Sequence, residues 1–199
     1  MELLTARFLA GPNLHHRDSV LVAKCELGPL ARLPATARSH HGIAAGRWPD
    51  ALRELGEIWL DATRACNSPL DSILYVALSL QRGLCVRPAS FASVLSVSGS
   101  VVEVALQCEI AAVGLDAWTL AADSARLFLA PVAETESLAP LAAQLAQGHG
   151  RFLNRAHGLS LDQLTLALVR AAAQRDIPWI RLGDPARFVQ LGQGRHGRR

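Results

Sequence analysis

The chain has 199 residues, half of them hydrophobic, 19% charged and 5% aromatic, with a net charge of +3. That apolar content excludes an intrinsically disordered chain and a small disulfide-stapled scaffold, and the length suits one domain with a real core. The longest uncharged stretch, 88–102, is Ser-rich and shorter than the roughly 18 apolar residues of a spanning helix, so no membrane span is expected.

The charge is placed unevenly. Between 176 and 199 five arginines (Arg181, Arg187, Arg195, Arg198, Arg199) stand against Asp176 and Asp184, which accounts for the whole +3. A neutral body is not expected to attract nucleic acid or an anionic membrane, and the basic run reads as a solvated tail. Of the 20 basic residues only Lys24 is a lysine, and no Gly-rich Lys-Ser/Thr loop occurs, so ATP chemistry and a bound cofactor are not expected. Cys25, Cys66, Cys85 and Cys108 lie at least 19 residues apart, without a Cys-x-x-Cys pair. The opening Met-Glu-Leu-Leu-Thr-Ala-Arg reads as no export leader. Reduced, buried thiols in a cytoplasmic protein are the expectation.

Strands are expected at 2–9 and 19–27. In the second, Leu21, Ala23, Cys25 and Leu27 alternate with Val20, Val22, Lys24 and Glu26, which gives one mostly apolar face. A turn-rich polar loop, 11–18, joins them, and a second loop spans 34–46. Pro49 opens a helix whose Leu52, Leu55, Trp59, Ala62 and Cys66 share a face. Ser68, Pro69 and Asp71 form a capping box for a second helix with Ile73, Leu74, Ala77 and Leu78 as its buried stripe, ended by Gly83. A hairpin, 91–97 and 101–108, follows around Ser98-Gly99. Helices are then expected at 111–129, 137–154 and 161–175, with a break at His157-Gly158. Two short strands, 177–182 and 187–191, close the chain. Strands and hairpins mixed with helices argue an α+β fold: a mixed sheet packed against several helices, with a short C-terminal strand pair. The main domain is expected at 1–157, and 158–199 as an appended helix, strand pair and basic tail.

The pairs His15-His16 and His40-His41 suggest metal ligation. Adjacent residues on extended chain point to opposite sides, so neither pair chelates alone; both would have to converge, with Asp18 as a fifth candidate. That arrangement would make a metal-dependent hydrolase-like enzyme, whereas the basic tail alone would suit a structural partner that binds a polyanion. Neither a Gly-x-Ser-x-Gly elbow nor a carboxylate pair stands out in the sequence.

Three passages carry a family resemblance. They are Ala10-Gly11-Pro12-Asn13-Leu14 between the first two strands, Ala77-Leu78-Ser79-Leu80-Gln81, and the closing Arg175-Asp176-Ile177-Pro178 with Gln190-Leu191-Gly192-Gln193-Gly194. In order and spacing the chain resembles the N-terminal domain of cyanophycin synthetases, in which a Gly stands where Asp176 is here. The resemblance covers the first of that family's domains. The ATP-grasp and Mur-ligase-like domains that extend the polymer are not expected in this chain. It implies a module that holds an aspartate–arginine polymer near ligase sites, here supplied by a separate protein. Some family members carry His-x-x-Glu-His on a helix as a zinc hydrolase site. The matching positions are Asp71-Ser72-Ile73-Leu74-Tyr75, so that activity is not carried over. The expectation is a non-catalytic binding or docking module, with Asn13 and Arg17 as ligand-binding residues. The apolar closing strands are expected to be buried, by packing or by association with a second copy.

Overall fold

The computed structural model describes residues 1–34, 36–37, 48–54, 66–82, 84–86, 89–129, 138–182 and 188–192. His40-His41, Leu55, Trp59, Ala62, Gly83 and the basic run from Arg195 to Arg199 lie outside the described residues.

The fold is α+β. Strands β1 (Glu2–Leu9), β2 (Val20–Glu26), β3 (Ala92–Ser98) and β4 (Val101–Gln107) form one sheet in the order β1-β2-β4-β3. All its pairings are antiparallel; the α+β class is as expected, but the sheet has no parallel pair among the described residues and so is not mixed. A two-residue turn joins β3 to β4 with Gly99 at φ +63°, the left-handed position that favours glycine. The helices are α1 (Trp48–Glu54), α2 (Pro69–Leu80), α3 (Ala111–Leu129), α4 (Leu138–Gly158) and α5 (Gln163–Gln174). A second, two-stranded antiparallel sheet of β5 (Trp179–Leu182) and β6 (Phe188–Leu191) ends the described chain.

Helices α2 and α3 pack on one face of the large sheet. There Leu21, Ala23 and Cys25 of β2 meet Val102, Val104 and Leu106 of β4 in one core cluster with the buried faces of both helices. The alternation read from β2 holds, but the opposite face is also partly closed: Val20, Val22 and Ala105 form a second buried cluster with Leu9 and Phe91. Trp118 of α3 is fully buried, and its indole N–H donates to Cys25 Sγ at 3.1 Å.

Helix α2 is buried on all sides rather than on one stripe. Every residue from Pro69 to Leu80 except Asp71 is buried, because α1, α3 and the sheet surround it. Its two serines survive burial by bonding within the helix: Ser72 donates to the Ser68 carbonyl at 3.1 Å and Ser79 to the Tyr75 carbonyl at 2.9 Å. At its start Ser68 Oγ accepts from the Asp71 N–H at 3.1 Å, as the capping motif requires.

The edge strand β1 reaches beyond the helices, so Leu3, Leu4 and Phe8 are exposed. The closing strand pair packs on α5 and is half-buried, less than expected, with Phe188 75% exposed. Before it, α5 ends in a Schellman motif: Asp176 N–H donates to the Ala173 carbonyl and Ile177 N–H to the Ala172 carbonyl. Asp176 occupies the left-handed position at φ +53°. It is the single described non-glycine residue there, at the position where the resembled family has Gly.

Leu74 is 5% exposed and Tyr75 8%, so both positions lie in the core. The triple variant Asp71→His, Leu74→Glu, Tyr75→His is expected to melt well below the parent in the absence of metal. Leu74→Ala alone should cost about 2–5 kcal/mol in urea unfolding. An unchanged midpoint in either variant would show that α2 faces an open cleft.

Candidate functional site

The loop between β1 and β2 is organised by one side chain. Asn13 Nδ2 donates to the carbonyls of Gly11 (2.9 Å) and Asp18 (3.0 Å), while Oδ1 accepts from the N–H groups of His15 (2.9 Å) and His16 (3.1 Å). Both hydrogens and both lone pairs of the amide are thereby used inside the loop. Asn13, expected to touch ligand, is placed instead as the residue that shapes the loop carrying Arg17.

His16 Nδ1 accepts from the Asp18 N–H at 3.1 Å, and the ring stacks on Phe91 with centroids 4.9 Å apart. Among the described residues no group of three or more His, Cys, Asp or Glu side chains is placed to hold a metal ion.

A second amide joins this loop to the sheet. Gln107, at the end of β4, donates from Nε2 to Asp18 Oδ2 at 3.0 Å; its Oε1 accepts from the N–H groups of Ser90 (2.8 Å) and Phe91 (3.0 Å). Its own carbonyl accepts from Nε2 of the fully buried Gln81, 3.3 Å away. Close by, Glu109 Oε1 accepts from the Val86 N–H at 2.6 Å. From the other side comes the C-terminal segment. Gly11, at φ +69°, lies so near β5 that an added Cβ would stand 3.0 Å from Ile180 Cγ2. A side chain there would push the two segments apart.

These segments enclose a cavity of about 440 Å3. Its walls come from 11–12 and 17–19, from Cys85 and Ala89, from 107–109 and from 176–181. Arg17 lines it, and its guanidinium makes no hydrogen bond or ion pair among the described residues. Asp18, Glu109 and Asp176 bring carboxylates, and Arg181 a second guanidinium, to the same walls. Both charge signs thus face one space. Sequence reasoning passed over Gln107, Glu109 and Asp176 because they lie on separate elements. One signal was present: Asp176 stands where the resembled family has Gly.

Two cysteines complete the wall. Burial pushes the Cys85 thiol far up, assisted by the nearby Glu109 carboxylate and by Cys108. Burial likewise pushes Cys108 from 9.0 up to about 12, where a backbone hydrogen bond from Leu21 only partly offsets it. Helix α3 closes over Cys108 at Gly114, where a Cβ would come within 2.6 Å of the sulfur. Both thiols stay protonated near neutrality, and a thiol is a far weaker nucleophile than a thiolate.

Compared with known proteins, the chain matches no family model and no curated protein.

Two outcomes are expected. Asn13→Ala should lower the melting temperature and speed amide exchange at His15 and His16, whose N–H groups lose their acceptor; unchanged exchange would show the loop is held otherwise. The buried thiol gives a pH dependence of known sign. Above about pH 9 the unfolded chain loses the Cys108 proton while the folded chain keeps it until about 12. The unfolded state then binds fewer protons, so stability falls as pH rises, by up to about 1.4 kcal/mol per pH unit for one thiol. Urea unfolding at about pH 8 and about pH 10 should show this loss, and Cys108→Ala should reduce it.

Proposed function

We propose that the chain is a non-catalytic binding module that holds a zwitterionic, peptide-like ligand in the cavity between the β1–β2 loop and the C-terminal segment. The observation that carries this reading is the Arg17 guanidinium, which has no hydrogen bond or ion pair among the described residues and lines a cavity that also presents Asp18, Glu109 and Asp176. A ligand with one charge sign would meet repulsion from half of that wall. A ligand with both signs finds partners for each. Two protonated thiols in the wall favour holding over covalent chemistry.

The resemblance to the cyanophycin synthetase N-terminal domain supports an aspartate–arginine peptide as the ligand class. It also supports a separate ATP-dependent ligase as the partner that would act on the held chain, in the cytoplasm. The first of the resembled passages forms the cavity's loop, and part of the last, 176–178, forms its opposite wall.

Calorimetric titration with short aspartate–arginine oligomers tests the proposal, with Trp179 fluorescence as a second readout because that residue lines the cavity. Saturable binding is expected, weakened roughly tenfold in Arg17→Glu, the scale of one charge-assisted hydrogen bond. Absence of saturable binding, or equal affinity in Arg17→Glu, would overturn the reading.

A further inference from the structure

Strand β1 is an edge of the large sheet, and its outer side has no strand partner among the described residues. Open N–H and C=O groups on such an edge template pairing with another chain, and short length, lysine, proline or a bulge usually blunts them. At eight residues β1 is long, and it carries neither lysine nor proline. Its one irregularity lies between Leu3 and Thr5, where Leu4 is left over in the pairing with β2.

That irregularity decides which side chains share a face. Glu2 and Arg7, five residues apart, would point to opposite sides of a regular strand. With Leu4 extra, Glu2 stands opposite Glu26, Thr5 opposite Lys24 and Arg7 opposite Val22, all on the sheet face away from α2 and α3. Thr5 therefore lies midway between the two charges. Leu3, Ala6 and Phe8 take the other face, where Leu3 is 40% and Phe8 37% exposed.

The charges on this strand are poorly served within the chain. Glu2 makes no hydrogen bond or ion pair among the described residues, and it stands opposite Glu26, where like charges repel. Arg7 is held to Glu103 only at 3.9 Å, and its side chain remains 73% exposed. We propose that β1 is the interface of a homodimer, in which the β1 strands of two copies pair antiparallel about a two-fold axis at Thr5. In that register Glu2 of each copy meets Arg7 of the other, which eases the repulsion between Glu2 and Glu26. The two Thr5 side chains face each other, Leu3 meets the second copy's Ala6, and Phe8 lies diagonally from the second copy's Leu3. Every pair is reciprocal, so the contact closes on itself. The opposite edge, β3, has no charged residue between Ala92 and Ser98, so no charge pair fixes a register there.

Sedimentation velocity over roughly 5–500 µM tests the proposal, a range suited to a small interface. The unaltered chain should form a dimer that grows with concentration. Glu2→Arg and Arg7→Glu each set like charges against one another and should weaken the dimer roughly tenfold; the double variant Glu2→Arg/Arg7→Glu should recover it. Both positions are exposed, and melting curves verify that each variant is folded. Thr5→Cys should give a covalent dimer with oxidised glutathione, two thiols yielding one disulfide and two reduced glutathiones. The unaltered chain, treated alike, controls for the native cysteines. A monomer at every concentration, an open-ended assembly, or a dimer indifferent to the single reversals would overturn the proposal. So would a double variant that fails to recover the dimer, or no covalent dimer from Thr5→Cys. Loss of the dimer in Phe188→Ser would overturn it as well, by moving the contact to the exposed start of β6.

Discussion

The Gln107 side-chain amide holds together the part of the molecule in which ligand binding is proposed. It stands at the end of a central strand, where the sheet stops and three loops must be brought into register. Its Nε2 fixes Asp18 of the first loop, and its Oε1 fixes the Ser90 and Phe91 amides ahead of β3. Through its backbone carbonyl it is tied to Gln81 at the end of α2. A buried amide with these partners is stabilising only as a set. Loss of the side chain would take the acceptor from the Ser90 and Phe91 N–H groups and one donor from Asp18, loosening three segments at once.

The rigidity behind that amide comes from how fully α2 is enclosed. A helix with no solvent face must satisfy its polar side chains internally, which Ser72 and Ser79 do by bonding back to carbonyls one turn earlier. The helices cover the two central strands and leave β1 outside them, which is why β2 and β4 carry buried residues and β1 does not. Loops leaving the ends of β2 and β4 consequently spring from the best-anchored part of the sheet. A binding site gains from that support, since its side chains are held in place before the ligand arrives.

The cavity then depends on a second closure, between chain segments far apart in sequence. Loop 11–19 meets 176–181 where Gly11 lets β5 approach. The approach brings Arg17 and Asp18 to the same space as Asp176 and Arg181. The Cys85 and Cys108 thiols line the same space, and burial holds both protonated near neutrality. Charged side chains of both signs and neutral thiols thus share one cavity wall.

Local patterns in the sequence were enough for most of the elements. Alternation gave β2 and β4, the Ser68–Asp71 cap gave the start of α2, and the Ser98-Gly99 turn gave the hairpin, because each of these is decided by neighbours within a few residues. Arg17 was a candidate only through the passage that carries the resemblance, since a charged residue in a polar loop is ordinary in itself. The role of Asn13 was not legible. Nothing in its own sequence neighbourhood distinguishes an amide that binds a ligand from one whose four hydrogen-bonding positions are used by its loop. The near-complete burial of α2, the bridge made by Gln107 and the cavity between loop 11–19 and 176–181 were decided by tertiary structure alone. Each arises from groups on different elements, whose distances are fixed only when the sheet, the helices and the C-terminal segment close on one another.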